Sequence, residues 1–241
     1  QPLFIDKLKK GGAGGIDAVS MTGTNGYCDD MAKENFREMM KEYPTKGIHF
    51  IDGGNYHYLT LLWLSLIEEP FDLIVFDNHS DMQKPAFGDV LSCGGWIRNL
   101  VEDSGFKGKV TVVGVDKDNI DKEMKELGVK FITKQTILKK RGQQYGLENE
   151  LIDKCWTGKR PVYISVDKDV LDEKEYKTNW NQGIMSVDEL FAIIEDTFEM
   201  RKVIGMDICG EMDEAVNSEF GSIYNEINQA VNMRFLKFRI S

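Results

Sequence analysis

Three residues with metal-ligating side chains follow one apolar run at intervals of two. Asp77, His79 and Asp81 stand in the stretch VFDNHSD, directly after the apolar residues of 72–76. Residues two apart point to the same side of an extended chain, so these side chains can converge. Buried carboxylates that converge repel one another and lose their hydration, which is costly for every unpaired ion. A multivalent cation removes both penalties, so the spacing predicts a metal site.

Two further polar clusters follow apolar runs elsewhere in the chain. Asp167 and Asp169 stand in SVDKD at the end of the run 161–167, and His57 stands in GGNYH after the run 47–52. In open α/β sheets, ligands bind outside the carboxyl ends of the strands, which share one edge. We therefore expect the clusters to form one site. The predicted metal ligands are His57, Asp77, His79, Asp81, Asp167 and Asp169.

The types of ligand narrow the choice of metal. Four aspartates and two histidines supply oxygen and nitrogen, which suits Mn²⁺, with Zn²⁺ or Fe²⁺ as alternatives. Six side chains exceed the needs of one tetrahedral ion, whereas two ions roughly 3.5–4 Å apart with bridging carboxylates would use them all. Such a pair lowers the pKa of a bound water to near neutrality, which predicts a hydrolase.

Apolar runs and amphipathic helical patterns alternate along the chain. Several runs are apolar throughout, which is typical of strands covered on both faces. The alternation predicts an α/β fold: a three-layer αβα sandwich with a mostly parallel central sheet, in one domain over 1–241. Strands are predicted at 16–21, 47–52, 72–77, 109–116, 129–133, 161–167 and 202–208. Helices are predicted at about 30–42, 56–68, 94–103, 118–126, 147–156, 187–200 and 219–232.

Composition excludes some classes of function. The net charge of −10 argues against a nucleic-acid surface, which requires a basic stripe. No apolar run reaches the roughly 18 residues that a membrane span requires, so we expect neither nucleic acid nor membrane as a partner. The four cysteines are widely separated and form no CxxC pair, which argues against a disulfide framework or a zinc ribbon. We expect a cytoplasmic protein.

The motifs GGNYH, DNHSD, SVDKDVLD, GIMSVDEL and VIGMDICGE follow one another over about 47–211. In this order they resemble the ureohydrolase (arginase/agmatinase) family, whose pattern is GGxH, DxHxD, SxDxDxxDP, a helix start and a final strand ending near an acid. The resemblance implies an arginase-like fold and two Mn²⁺ ions per chain, with Asp77 and Asp167 as bridging ligands. One ion would take His57, Asp77, Asp81 and Asp167, and the other Asp77, His79, Asp167 and Asp169.

The resemblance also implies an activity and roles for individual residues. A metal-bridging hydroxide would cleave a C–N bond of a guanidino, amidino or related small substrate. Asp81 and Asp169 would hydrogen-bond this hydroxide, and Glu211 would act in catalysis or bind a cationic group. Trp180 and Asn181 lie in the loop after SVDKD and are candidate substrate contacts. Family members form trimers or hexamers, so a homo-oligomer is an open option.

Four departures from the family pattern bear on this expectation. GGNYH has one extra residue, Glu173 replaces a proline, and Gly210 holds the place of the usual acid, so that Glu211 stands one position further on. The segment SCGGW lacks the histidine that shuttles protons in arginases, so another group must protonate the leaving amine. Two alternatives stay open: a single-zinc deacetylase-like amidohydrolase on the same fold, and a degenerate member that only binds a ligand.

Overall fold

Eight strands build two sheets in the computed structural model, which describes residues 2–85, 88–142, 151–212 and 226–240. The strands are β1 (Tyr27–Cys28), β2 (Ile48–Phe50), β3 (Asp72–Phe76), β4 (Leu91–Ser92), β5 (Val110–Val113), β6 (Lys130–Ile132), β7 (Val162–Asp167) and β8 (Val203–Cys209). Six of them form a fully parallel sheet in the order β2-β8-β7-β3-β5-β6, and β1 pairs antiparallel with β4. The predicted parallel sheet is confirmed.

Helices pack on both faces of this sheet. They are α1 (Pro2–Lys10), α2 (Asp30–Met40), α3 (Leu59–Leu64), α4 (Trp96–Glu102), α5 (Lys122–Glu126), α6 (Lys134–Lys140), α7 (Val187–Met200) and α8 (226–235), with a π-helical turn at Ile152–Trp156. Phe36 of α2 and Leu100 of α4 belong to one buried cluster, and Leu190 of α7 and Phe235 of α8 to another. Both clusters also include strand residues, so the three predicted layers are confirmed. Within the described residues, no helix combines the length and apolarity needed to cross a membrane.

The start of α7 shows how local sequence sets an element boundary. Ser186 caps the helix by accepting from the Glu189 amide at 3.1 Å, and the Glu189 carboxylate accepts from the Ser186 amide at 2.8 Å. This reciprocal capping box satisfies two amides that a helix start leaves without partners. Leu190 and Ile194 then lie fully buried on one face, as the sequence predicts.

One predicted strand is wrong. Residues 16–21 are irregular and contain a turn in which the Met21 amide donates to the Ala18 carbonyl at 2.9 Å. Ile16, Ala18 and Met21 are half-buried against the cluster under α2. Their apolar character therefore serves packing and not strand pairing.

Helix predictions differ from the structure in three places. Helices α1 and α6 are not predicted. Thr133 caps the start of α6, and its side chain accepts from the Thr136 amide at 3.2 Å. The predicted helices 147–156 and 219–232 lie partly outside the described residues. Their described parts are the π-helical turn and the first residues of α8.

Three neighbouring strands end together and so fix the position of the polar clusters. In the register of β3 with β7, Phe76 pairs with Val166, which sets Asp77 level with Asp167. In the register of β7 with β8, Asp167 pairs with Cys209. Because the strands are parallel, the residues that follow them share one edge of the sheet.

Candidate metal centre

The imidazole of His57 faces three carboxylates at this edge. Its Nδ1 lies 2.9 Å from Oδ2 of Asp81, 3.2 Å from Oδ2 of Asp77 and 3.7 Å from Oδ2 of Asp167. All four side chains are buried. His57 reaches this position from the short 3₁₀ turn Gly54–Tyr56 that follows β2. The extra residue of GGNYH is thus accommodated in the turn.

A second group of ligand atoms adjoins the first. Nδ1 of His79 lies 2.8 Å from Oδ2 of Asp169 and 3.5 Å from Oδ1 of Asp77. Asp77 therefore belongs to both groups. Ligand atoms of His57, Asp77 and Asp81 lie within 4.8 Å of one another, and so do those of Asp77, His79 and Asp169. The structure brings all six predicted ligands together.

Backbone amides hold one oxygen of three aspartates and leave the other directed into the site. The His79 amide donates to Oδ1 of Asp77 at 2.6 Å, and the Asp169 amide donates to Oδ1 of Asp167 at 2.9 Å. The Asn78 amide donates to Oδ1 of Asp169 at 3.0 Å. Hydrogen bonds to a carboxylate favour its charged form. These amides orient the carboxylates as ligands before any ion binds.

A hydrogen-bonded chain orients His57 from behind. Oγ of Ser165 donates to Oδ1 of Asp207 at 2.7 Å and so accepts from Nε2 of His57 at 2.9 Å. Thr60 also donates to Asp207, at 3.1 Å. This places the Nε2 proton of the neutral ring on the Ser165 side and turns the Nδ1 lone pair toward the carboxylates. Histidines that bind metals are held by such partners.

Two buried atoms at the centre have no hydrogen-bond partner among the described residues. They are Nδ1 of His57 and Oδ2 of Asp77, 3.2 Å apart. Leaving buried polar atoms unpaired costs about 1–3 kcal/mol each, and a lone pair that faces carboxylates adds repulsion. A divalent cation satisfies both atoms, so the residues present fit a metal ion.

Asp81 takes an unusual backbone conformation at the site. Its φ is +48°, the only positive φ of a non-glycine residue among those described. The Trp96 indole donates to Oδ2 of Asp81 at 2.7 Å, and the Ile97 amide at the start of α4 donates to its carbonyl at 3.0 Å. Strained conformations persist where surrounding contacts fix them, often at functional sites.

Burial and mutual repulsion change the pKa values of the ligands. Burial, with the charges of Asp169 and Asp77, raises the pKa of Asp167 to about 7. Burial, with the charge of Asp77, raises the pKa of Asp169 to about 6. Burial acts to lower the pKa of His79, but its contacts with Asp169 and Asp77 outweigh this and raise the pKa to about 11. Without metal, protons must take the place of the cations.

We expect the metal-free protein to lose stability as the pH rises. The folded Asp167 and Asp169 hold protons that the unfolded chain releases near pH 3.8, so their contribution falls between about pH 4 and 7. The raised pKa of His79 changes stability in the same direction, because its contribution to the free energy of unfolding is lost between pH 6.5 and about 11. Thermal unfolding after chelation should therefore give a Tm that falls from pH 5 to 8, while Mn²⁺ should raise the Tm most at pH 8.

Two variants test whether the fall in Tm comes from the candidate ligands or from other carboxylates of the protein. Asp167→Asn should flatten the fall in Tm, whereas Asp89→Asn, at an exposed position, should not. A Tm of the chelated protein that rises over this range would contradict the account of the site.

Glu211 has a charged partner within the protein. Its carboxylate accepts from the ammonium of Lys168, which is fully buried, and from Nδ2 of Asn232 at 2.8 Å. Tyr176 donates to its other oxygen at 3.2 Å and lies against Lys168, 4.9 Å from ring centre to Nζ. Glu211 therefore carries a charge that the chain itself neutralises. Its role toward a substrate stays a prediction.

Trp180 lies beside the second ligand group and is 41% exposed. Its ring is 5.6 Å from that of His79, edge to face, and its indole donates to Oδ1 of Asn55 at 3.0 Å. A Cβ at Gly54 would lie 3.0 Å from both Trp180 and Oδ2 of Asp167. The carbonyl of the next residue, Asn181, accepts from the Asn78 side chain. Both predicted substrate residues lie at the rim of the metal centre.

Three residues of the site are not predicted from the sequence. Ser165 holds His57, Lys168 holds Glu211, and Cys209 donates to Oδ2 of Asp167 at 3.2 Å. Strand alternation is the signal that could have found two of them. Ser165 and Cys209 stand two positions from Asp167 and Asp207, respectively, and so point to the same side of their strands.

Comparisons with known proteins identify the family of this chain. The family model described as the arginase family matches residues 26–213. An uncharacterised protein of Thermotoga maritima is 34% identical over 167 residues, which cover 69% of this chain and 59% of that protein.

Solved structures share the fold at lower identity. The formiminoglutamase of Trypanosoma cruzi, solved with Mn²⁺, is 18% identical, with a TM-score of 0.65 over 86% of this chain and 69% of that one. The formimidoylglutamase of Bacillus subtilis is 18% identical, with a TM-score of 0.63 over 83% of this chain and 62% of that one. The chain spans about three fifths of the lengths of this enzyme and of the Thermotoga protein. By the family model, which covers more than half of its residues, this chain belongs to the arginase family.

Proposed function

We propose that this protein is a binuclear metal-dependent hydrolase that cleaves a C–N bond of a guanidino, amidino or related small substrate. The observation that carries the proposal is the convergence of six candidate ligand side chains around Nδ1 of His57 and Oδ2 of Asp77, two buried atoms that find no hydrogen-bond partner in the described part of the chain. Membership of the arginase family supports the same reaction class.

The donor set suits two ions of the Mn²⁺ type, with Zn²⁺ or Fe²⁺ as alternatives. One ion would take His57, Asp77, Asp81 and Asp167 as ligands. The other would take Asp77, His79, Asp167 and Asp169. Asp77 would bridge them, in keeping with its place in both ligand groups, and Asp167 would be the second bridge.

When bound, such a pair of ions supplies a water acidified to near neutral pH and a positive field for the charge that develops at the attacked carbon. Asp81 and Asp169 would accept hydrogen bonds from the attacking water and direct it. The Asn78 amide already holds the Asp169 carboxylate in place, and the Trp96 indole holds Asp81. The chain thus provides rigid positioning for the chemistry.

The leaving amine must receive its proton from a group other than histidine. The chain has three histidines, of which His57 and His79 are candidate ligands. The third, His49, is stacked on Trp63 at 4.0 Å, and Nε2 of its ring contacts the Pro44 carbonyl at 3.1 Å. Water from the open side of the site, where His79 is 30% exposed, is the proton donor that we propose.

Trp180 is the side chain that we propose to contact the substrate. Guanidines and amidines are cations at neutral pH, and the face of an indole attracts cations by about 0.5–2 kcal/mol. We expect Trp180→Ala to raise KM by about 5- to 30-fold, the equivalent of about 1–2 kcal/mol, with little change in kcat. Trp180→Phe keeps an aromatic face and should recover most of the affinity. Steady-state kinetics on the best substrate measure both, and an unchanged KM in Trp180→Ala would remove this residue from the substrate site.

A substrate panel tests the proposed reaction. The protein is chelated, reloaded with Mn²⁺ and assayed with arginine, agmatine, guanidinobutyrate, guanidinopropionate and formimidoylglutamate for release of urea, formamide or ammonia. Formimidoylglutamate belongs in the panel because formiminoglutamases are among the structural relatives. Turnover that requires metal supports the proposal. If metal-loaded protein turns over none of these compounds, the proposed substrate class is contradicted.

The metal count separates the alternatives. A single-zinc deacetylase-like amidohydrolase would bind its ion through an Asp–x–His pair and one later aspartate, so the additional carboxylates of Asp81 and Asp169 favour two ions. One tightly held zinc per chain, with hydrolysis of acetylated amines, would favour that enzyme. Binding of a panel compound by metal-loaded protein without turnover would favour a degenerate member.

A further inference from the structure

A thiol lies inside the metal centre beside the predicted ligands. Cys209 is the last residue of β8, is fully buried, and pairs with Asp167 in the sheet register. Its Sγ lies 3.2 Å from Oδ2 of Asp167. This oxygen is the one that faces Nδ1 of His57, at 3.7 Å.

The surroundings of the thiol have the arrangement of a coordination site. Ligand atoms of His57, Asp167 and Cys209 all lie within 4.8 Å of one another, and all three residues are buried. The His57 side chain is 1% exposed, and its Nδ1 has no hydrogen-bond partner among the described residues. Imidazole, carboxylate and thiolate bind one zinc ion at about 2.0–2.3 Å, which atoms at this spacing can satisfy.

We propose that Sγ of Cys209 is a further ligand of the ion held by His57, so that the two metal positions differ in ligand chemistry. This inference rests on the proposed binuclear centre. The position at His57 would combine sulfur with nitrogen and oxygen, whereas the group of Asp77, His79 and Asp169 offers only nitrogen and oxygen.

The difference in ligands has a consequence for metal selection. Thiolates favour softer ions such as Zn²⁺, whereas carboxylates suit Mn²⁺. The His57 position should therefore prefer Zn²⁺ or Co²⁺, and the His79 position should accept Mn²⁺ readily. A protein supplied with both metals would then hold a mixed pair.

The competing role for Cys209 is that of a hydrogen-bond donor that only positions Asp167. Cobalt spectra distinguish the two roles, because a sulfur that ligates Co²⁺ gives a charge-transfer band in the near ultraviolet, and a sulfur that donates a hydrogen bond does not. The other cysteines provide controls. Cys93 is half-buried near Asp81, and Cys28 is buried beside Tyr58.

The test loads the chelated full chain with Co²⁺ and records its absorption spectrum. We expect visible d–d bands together with the near-ultraviolet band in the unchanged protein. Cys209→Ser should lose the near-ultraviolet band and keep the visible bands, while Cys93→Ser and Cys28→Ser should keep both. Visible bands without the near-ultraviolet band would overturn the thiolate ligand and leave the metal centre standing. A chain that binds no cobalt would overturn the thiolate ligand and the proposed function together.

Metal competition gives a second readout that does not depend on catalysis. In Cys209→Ser and Cys209→Ala, the affinity for Zn²⁺ relative to Mn²⁺ should fall by at least about tenfold, since even the loss of groups that only support ligands costs 10- to 100-fold in metal affinity. An unchanged ratio in a folded variant would overturn the inference. The cobalt spectrum of the unchanged protein decides the matter if neither variant folds.

Discussion

Asp77→Asn is expected to reduce hydrolysis by at least about 100-fold and to leave less than two metal ions per chain. Asp77 contributes to both ligand groups, with Oδ2 at 3.2 Å from His57 and Oδ1 at 3.5 Å from His79. Removal of a group that only supports a ligand costs about 10- to 100-fold, so a shared ligand should cost more. Elemental analysis and steady-state kinetics on the same preparations measure the two effects.

Asp89→Asn is the matched control, since Asp89 belongs to the stretch after DNHSD and is exposed. It should keep both the metal content and the rate. Full metal occupancy and a rate near that of the unchanged protein in Asp77→Asn would contradict a shared ligand at this position.

Lys168→Met is expected to lower the free energy of unfolding by about 3–5 kcal/mol, which is typical when one partner of a buried ion pair is removed. Lys168 is fully buried, and its ammonium donates to Glu211 and, at 2.9 Å, to Asn232. The substitution leaves the Glu211 carboxylate, 12% exposed, without its cation. Urea unfolding followed by circular dichroism measures the loss.

Two further variants test the cause of this loss. Lys168→Met combined with Glu211→Gln should recover much of the stability, because no charge is then left unpaired. Lys122→Met removes an exposed helical pair with Glu126 and should change stability little, as surface pairs do. If the double variant is no more stable than Lys168→Met, the loss comes from packing and not from the ion pair.

The Lys168–Glu211 pair also bears on the substrate. An acid at the end of the last strand suggests, from the sequence alone, a binder of cationic groups. The structure places a lysine of the chain against this acid, so its charge is already balanced. Trp180, exposed beside His79, is the group that we propose to contact a cationic substrate.

The meeting of the candidate metal ligands at one edge of the sheet could be predicted, because the ends of parallel strands share that edge. Asp77 and Asp167 follow apolar strands, and parallel strands bring such residues to one edge. Alternation along an extended chain gives the direction of neighbouring side chains. Beyond the strands this alternation does not hold, because β3 ends at Phe76 and Lys168–Val170 form a 3₁₀ turn. Loop geometry therefore sets the final directions of the six side chains, which nevertheless lie close together.

The residues that sequence reasoning missed depend on contacts between distant elements. Lys168 stands between two ligands and looks exposed in a charged motif, yet its partner Glu211 is 43 residues away. Ser165 gains its role only where β7 places it between His57 and Asp207. Cys209 resembles any buried cysteine until the register sets it beside Asp167. Contacts between distant segments decide the roles of all three residues, and the local sequence pattern does not reveal these contacts.

The incorrect strand has a related cause. Residues 16–21 carry apolar side chains at a spacing that suits a strand, but no sheet edge receives them. Ile16 and Met21 pack instead on the buried cluster that includes α2 and α4. Apolar pattern reports burial, and pairing partners decide whether a buried segment becomes a strand.

A crystal structure of the full chain grown with excess Mn²⁺ tests the central claim most directly. The account predicts two anomalous scatterers roughly 3.5–4 Å apart, with Asp77 contacting both and Nδ1 of His57 on one. A well-ordered site without any ion, with Nδ1 of His57 still facing the carboxylates in excess metal, would contradict it.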